Sequence, residues 1–89
     1  MKIRNLALYD TYERTAQALV KLAEDYGRKS SKGVNLDISI SRQELANLVG
    51  TTRETVIRAL TAFKKEHLIG IEKNTITIFD LEKLKEWPY

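Results

Sequence analysis

Between residues 12 and 26 apolar side chains recur every three or four positions: Tyr12, Ala16, Leu19, Ala23 and Tyr26 fall on one stripe. That spacing predicts an amphipathic helix whose stripe is core. Asp10 or Thr11 suits its N-cap and Gly27 its end. Ahead of it, Ile3, Leu6 and Tyr9 stand at helical spacing and predict the end of a separate helix that began before residue 1. The polar stretch RKSSKG over residues 28–33 reads as an exposed, mobile loop. Leu36, Ile38 and Ile40 then alternate with polar residues, the pattern of a short strand.

From residue 41 onward the signals are more specific. Ser41 and Glu44 have the spacing of a capping box, in which each side chain accepts from the other residue's amide. Leu45, Leu48 and Val49 supply the apolar face of a short helix that Gly50 ends. After a turn of about three residues, Thr51 or Thr52 caps a longer helix running over residues 52–66. Two helices joined by a tight glycine-containing turn are the pattern of a helix-turn-helix. At about 100° per residue, Val56, Leu60, Phe63 and His67 cluster within about 60° and form a core stripe. Arg53, Glu54, Ile57, Arg58, Thr61, Lys64 and Lys65 fill an arc of about 140° on the other side. That arc is basic, with one acid and one bulky apolar residue, and a merely solvated face seldom carries an isoleucine.

Residues 68–72 and 75–79 are β-rich and separated by Lys73-Asn74, where Asn tolerates a positive φ. A β-hairpin directly after the second helix of a helix-turn-helix defines a winged helix. Asp80 caps a short last helix, with Glu82 in its first turn and Lys83 and Lys85 toward its end, as the macrodipole favours. Leu81, Leu84 and Trp87 fold back onto the core. Tyr26 and Trp87 read as packing residues, and His67 as a helix-end residue packed against the hairpin. The fold class is therefore mainly α with a small β-hairpin, a winged helix-turn-helix in a single domain.

Composition narrows the function classes. Eighty-nine residues hold one core and no buried multi-substrate cleft. With 43% hydrophobic and 30% charged residues the chain is a folded domain, not a disordered tail. There is no cysteine, so no disulfide, thiolate zinc site or catalytic thiol. His67 is the only histidine, and no HExxH, GxSxG, GxGxxG or GxxxxGK[ST] string occurs. No acid, base and nucleophile constellation can be assembled: the reading is no enzyme, no metal and no cofactor. The apolar run over residues 6–9 is far short of a signal peptide or membrane span, which makes a cytoplasmic location, with no membrane partner, the default. A net charge of +3 is mild as a total. Residues 42–65, however, hold five bases (Arg42, Arg53, Arg58, Lys64, Lys65) against two acids (Glu44, Glu54), so the same excess sits in the helix-turn-helix.

Arg53, Glu54, Ile57 and Arg58 are the candidate base-reading residues. Arginine bonds bidentately to guanine O6 and N7, glutamate accepts from the cytosine amino group, and an aliphatic side chain meets a thymine methyl. The bland alternative makes the arginines surface charges and Glu54 the last member of a Thr51-x-x-Glu54 capping box. Arg42, Thr52 and Thr55 sit at or near helix N-termini, where amides and dipole suit phosphate; for the threonines plain capping explains the residue as well. Lys64, Lys65 and the wing-tip Lys73 are candidates for phosphate attraction, against the alternative of simple solvation. The competing class is a winged helix used as a protein-protein interaction module without base-specific DNA readout, because fold does not dictate ligand.

The segment ISRQELANLVGTTRETVIR over residues 40–58, followed by Leu60, the Leu68-Ile69 pair and a hairpin, strongly resembles the DNA-binding domain of the Crp/Fnr transcription regulators. Upstream, NLALYD over residues 5–10 and the Arg14-x-Ala16-x-x-Leu19 spacing resemble the end of that family's dimerisation helix and the first helix of its winged domain. The resemblance implies a bacterial or archaeal regulator, with residues 1–9 the remnant of a dimerisation helix and 10–89 the DNA-binding domain. It implies Arg53, Glu54 and Arg58 reading a TGTGA-type half-site, and Arg42, Thr52 and Thr55 at phosphates. In the Fnr-like branch, which reads a TTGAT-type half-site, a serine stands where Ile57 is, so this chain is similar to the Crp-like readers. Two departures stand out: Lys73-Asn74 occupies a wing turn that often carries glycine, and no effector-binding barrel is present. Any ligand sensing belongs to that missing part. The resemblance also names RNA polymerase as a candidate partner, through residues 28–34. It implies a homodimer for a full-length regulator and a monomer or weak dimer for this chain.

Overall fold

The computed structural model describes residues 6–37, 40–73 and 75–88, with side chains from residue 10 on. The packing expected of Ile3, Leu6 and Tyr9, the strand position of Ile38 and the turn conformation of Asn74 lie outside the described residues. Among the described residues the order is α1 (Leu6–Tyr26), β1 (Arg28–Ser30), β2 (Gly33–Leu36), α2 (Arg42–Val49), α3 (Arg53–Lys65), β3 (Ile69–Glu72), β4 (Thr75–Ile78) and α4 (Leu81–Lys85). This is the winged helix-turn-helix that the sequence predicts, with more sheet than expected.

Helix α1 runs unbroken through Asp10 and Thr11, where a break and an N-cap were expected. The physical reason is local. No glycine or proline interrupts residues 6–26, Asp10 pairs with Arg14 one turn on at 3.6 Å, and the Thr11 carbonyl accepts from Thr15 Oγ1 at 2.8 Å. Both residues that could have capped a helix are used inside one.

The stretch RKSSKG is not a loop but a hairpin. β1 pairs with β2, β2 with β4 and β4 with β3, all antiparallel, in the sheet order β1-β2-β4-β3. Every β1 residue is exposed, so nothing in its polarity marks it as a strand; pairing with β2 holds it there, together with the Arg28–Asp37 ion pair at 3.6 Å and the hydrogen bonds of the Ser30 hydroxyl. Gly33, at φ 142°, has the Ile78 carbonyl where a Cβ would stand, so the β2–β4 approach needs a residue without one. One sheet face carries Leu36, Ile69, Ile76 and Ile78 into the core; on the other, Thr77 Oγ1 donates to Asn35 Oδ1 at 3.0 Å. The wing turn places its positive φ of 56° on Lys73.

The core gathers Leu19, Leu45, Val56, Leu60, Phe63, Leu68 and Leu84 around these strand residues, each such burial contributing about 1.5–3 kcal/mol. α1 packs against α2, α3 and α4. Trp87 folds back as expected: it meets Phe63 edge-on at 5.3 Å, and its indole Nε1 donates to Glu66 Oε2 at 3.1 Å. Lys85 bridges Glu82 and Glu24, both at 3.4 Å, and these hydrogen bonds, Glu82 first, hold its amine above the ordinary lysine range. Three residues expected in the core are outside it. Tyr26 and Leu48 are each 60% exposed, because both stand at the margin of the α1–α2 contact. His67 is exposed at φ 59°, two residues past α3, where the helical angle that put it on the core stripe no longer applies.

Candidate nucleic-acid interface

The interface is built on two helix starts and the turn between them. Ser41 Oγ accepts from the Glu44 amide at 3.0 Å and Glu44 Oε1 from the Ser41 amide at 2.9 Å, the expected capping box at the start of α2. The hydrogen bond from the Ser41 backbone, then that of its side chain, lowers the Glu44 carboxyl below its ordinary value. Gly50 ends α2 at φ 85°, in the left-handed region, and its N–H reaches the Ala46 carbonyl at 2.8 Å. A contact no local motif announces secures this turn: Arg14 of α1 donates to the Val49 carbonyl at 2.9 Å and the Gly50 carbonyl at 3.3 Å. A guanidinium there satisfies carbonyls at the negative end of α2 and ties α1 to the turn that aims α3.

The cap of α3 is Thr52, whose Oγ1 accepts from the Thr55 amide at 3.2 Å and lies 2.9 Å from the Thr55 hydroxyl. The cap is therefore not Thr51, and the bland explanation of Glu54 as the partner of a Thr51 capping box falls away. Val56, Ala59, Leu60 and Phe63 are buried; Arg53, Glu54, Arg58, Thr61, Lys64 and Lys65 are exposed, and Ile57 is half-buried between them. Among the described residues Arg53, Glu54 and Arg58 take part in no ion pair, although Glu54 and Arg58 stand one turn apart.

Two shallow depressions flank this face. One, of about 190 Å³, brings Arg42 of α2 and Ile71 of β3 to Ile57, Leu60, Thr61 and Lys64. The other, of about 340 Å³, sets Ile57, Arg58, Thr61 and Lys65 beside Tyr12 and Ala62. Arg42, Ile57, Arg58, Lys64 and Lys65 thus form one surface, with Arg53, Glu54 and the Thr52–Thr55 pair at its leading end. Lys73 does not join it: it lines a polar hollow on the outer sheet face with Asp37, Glu72 and Thr75. Among the described residues no helix is long and apolar enough to cross a membrane.

Known proteins share the sequence pattern and the fold. Residues 13–87 match the sequence family described as the Crp-like helix-turn-helix domain. The chain is 38% identical over 80 residues to the global nitrogen regulator of Synechococcus elongatus, covering 90% of this chain and 36% of that protein. It is 36% identical over 78 residues to the cAMP-activated global transcriptional regulator CRP of Pasteurella multocida, covering 88% and 37%. Among solved structures, the CO-dependent transcription factor CooA from Carboxydothermus hydrogenoformans superposes with a TM-score of 0.83 at 38% identity, over 91% of this chain and 38% of that one. The chain therefore spans a little over a third of the length of these relatives.

Proposed function

Because the chain belongs to the family of Crp-like helix-turn-helix domains, we propose that it binds double-stranded DNA sequence-specifically as the DNA-binding domain of a transcription regulator. Helix α3 enters the major groove of a TGTGA-like half-site. The observation that carries this reading is the outward face of α3, where Arg53, Glu54 and Arg58 are exposed and unpaired among the described residues. Arg53 and Arg58 donate to guanine O6 and N7, Glu54 accepts from a cytosine amino group, and Ile57 packs on a thymine methyl. Arg42, Lys64 and Lys65, on the rims of the same face, and Lys73 on the wing attract phosphates. Thr52 and Thr55 bring the first turn of α3 to the backbone.

Residues 1–9 are read as the remnant of a dimerisation helix and residues 10–89 as the winged helix-turn-helix DNA-binding domain, with α1 starting at Leu6 and crossing that boundary. A full-length homodimer would set two α3 helices about 34 Å apart, one turn of DNA. This chain alone is expected to be a monomer or weak dimer with weak operator affinity. RNA polymerase is a candidate partner through the β1–β2 hairpin.

The test is selection of bound sequences from a randomised duplex pool at low salt. Enrichment of a TGTGA-like motif is the expected result. Enrichment of another motif would refute the half-site. Recovery of no motif, with binding insensitive to salt, would refute DNA reading and favour a protein-interaction module.

A further inference from the structure

The middle of the α3 face is hydrocarbon rather than polar. At about 100° per residue from Arg53, Ile57 stands at about 40° and Thr61 at about 80°, one turn along. Arg53 and Lys64 lie on one side of them and Lys65 and Arg58 on the other. Both flanking depressions are lined by Ile57 and Thr61, so these two side chains form the ridge between them. Thr61 is exposed, yet its Oγ1 donates inward to the Ile57 carbonyl at 2.9 Å. With its proton committed to its own helix, Thr61 has no donor for guanine N7 or O6 or for thymine O4. What it turns to a partner is its γ-methyl and an acceptor lone pair.

We propose that Thr61 is a specificity-determining residue that acts with Ile57 as a methyl-reading ridge, selecting a thymine through its C5-methyl group at the centre of the contacted half-site. This rests on the major-groove reading of α3 and adds to it. A cytosine edge offers the ridge no methyl: its C4-amino group meets at most the remaining Thr61 Oγ1 lone pair and leaves the aliphatic groups of Ile57 and Thr61 without a partner. A pyrimidine methyl loses water on both sides and fits between the flanking cations without competing for them.

Deoxyuridine isolates the effect, because it differs from thymidine by that methyl alone. The probe is a synthetic duplex of the sequence enriched from the random pool, remade with deoxyuridine at each thymine in turn and titrated by fluorescence anisotropy. One thymine per half-site should bind about fourfold more weakly as deoxyuridine, the worth of one buried methyl group. Thr61→Ser, which keeps the inward hydroxyl and removes only the methyl, should lower that ratio, as should Ile57→Ala; the pair should bring it to unity. Thr61→Val, which keeps the methyl, should retain it. Equal affinity for thymidine and deoxyuridine at every position, or an unchanged ratio in the double variant, overturns the ridge while leaving DNA binding in place. Failure to bind any duplex overturns the DNA reading itself, and the ridge with it.

Discussion

Thr52 holds the first turn of α3 by accepting from the Thr55 amide, and its own side chain is exposed. Thr52→Ala should therefore cost about 1 kcal/mol of stability in urea denaturation, the ordinary worth of an N-cap. A loss under a few tenths would mean that the cap is not formed. Glu44 adds a pH dependence. Its carboxyl, held below the ordinary value by the Ser41 amide, stabilises the fold above pH 4.5, and that contribution is lost as pH falls through the folded-state value. Glu44→Gln should therefore be less stable than the parent at neutral pH and match it once the parent carboxylate is protonated. A gap that persists or widens in acid would contradict the capping role. Glu54 shows why residue chemistry needs the fold: from sequence a base contact is the favoured reading but a Thr51 capping box also explains the residue, and the choice of Thr52 as N-cap removes that second explanation.

At the scale of elements, the parts legible in the sequence were those set by local rules. The capping box of α2, the glycine stop at Gly50, the buried stripe of α3 and the Asp80 cap of α4 all follow from residues within a turn of one another. Elements fixed by distant partners were not legible. β1 is wholly exposed and exists because β2 pairs with it; β2 in turn is held by β4, more than forty residues on. The candidate surface divides the same way, since helix periodicity predicts the face of α3 but not the approach of Arg42 and Ile71 to it. Arg14, one member of an upstream spacing, gives no local sign that it reaches the α2–α3 turn. Arg14→Met keeps the aliphatic stem and removes the donors to Val49 and Gly50. It should weaken DNA binding severalfold by loosening the aim of α3, and amide exchange at residues 50–52 should speed up. If exchange there is unchanged, α1 does not hold the turn.

For the whole molecule, the modest net charge of +3 understates the surface, because an equal excess lies in residues 42–65 alone. Four cations, Arg42, Lys64, Lys65 and Lys73, are assigned to phosphates, which predicts that log affinity falls against log salt with a slope of about −3 to −4 per bound domain. A slope near zero would argue for a protein partner. Lys73→Ala tests the wing separately: it should lower the slope by about 1, and an unchanged slope would show that Lys73, in its separate hollow, reaches no phosphate. The central claim is that the α3 face reads bases, and the most direct measurement is the affinity of Arg53→Ala and Arg58→Ala for the selected duplex and for a scrambled one at fixed salt. Both side chains are exposed and unpaired among the described residues, so thermal stability should not change. Binding to the selected duplex should weaken by about 1–3 kcal/mol in each variant, with little loss on the scrambled duplex. Two variants that bind the selected duplex as tightly as the parent would contradict the account.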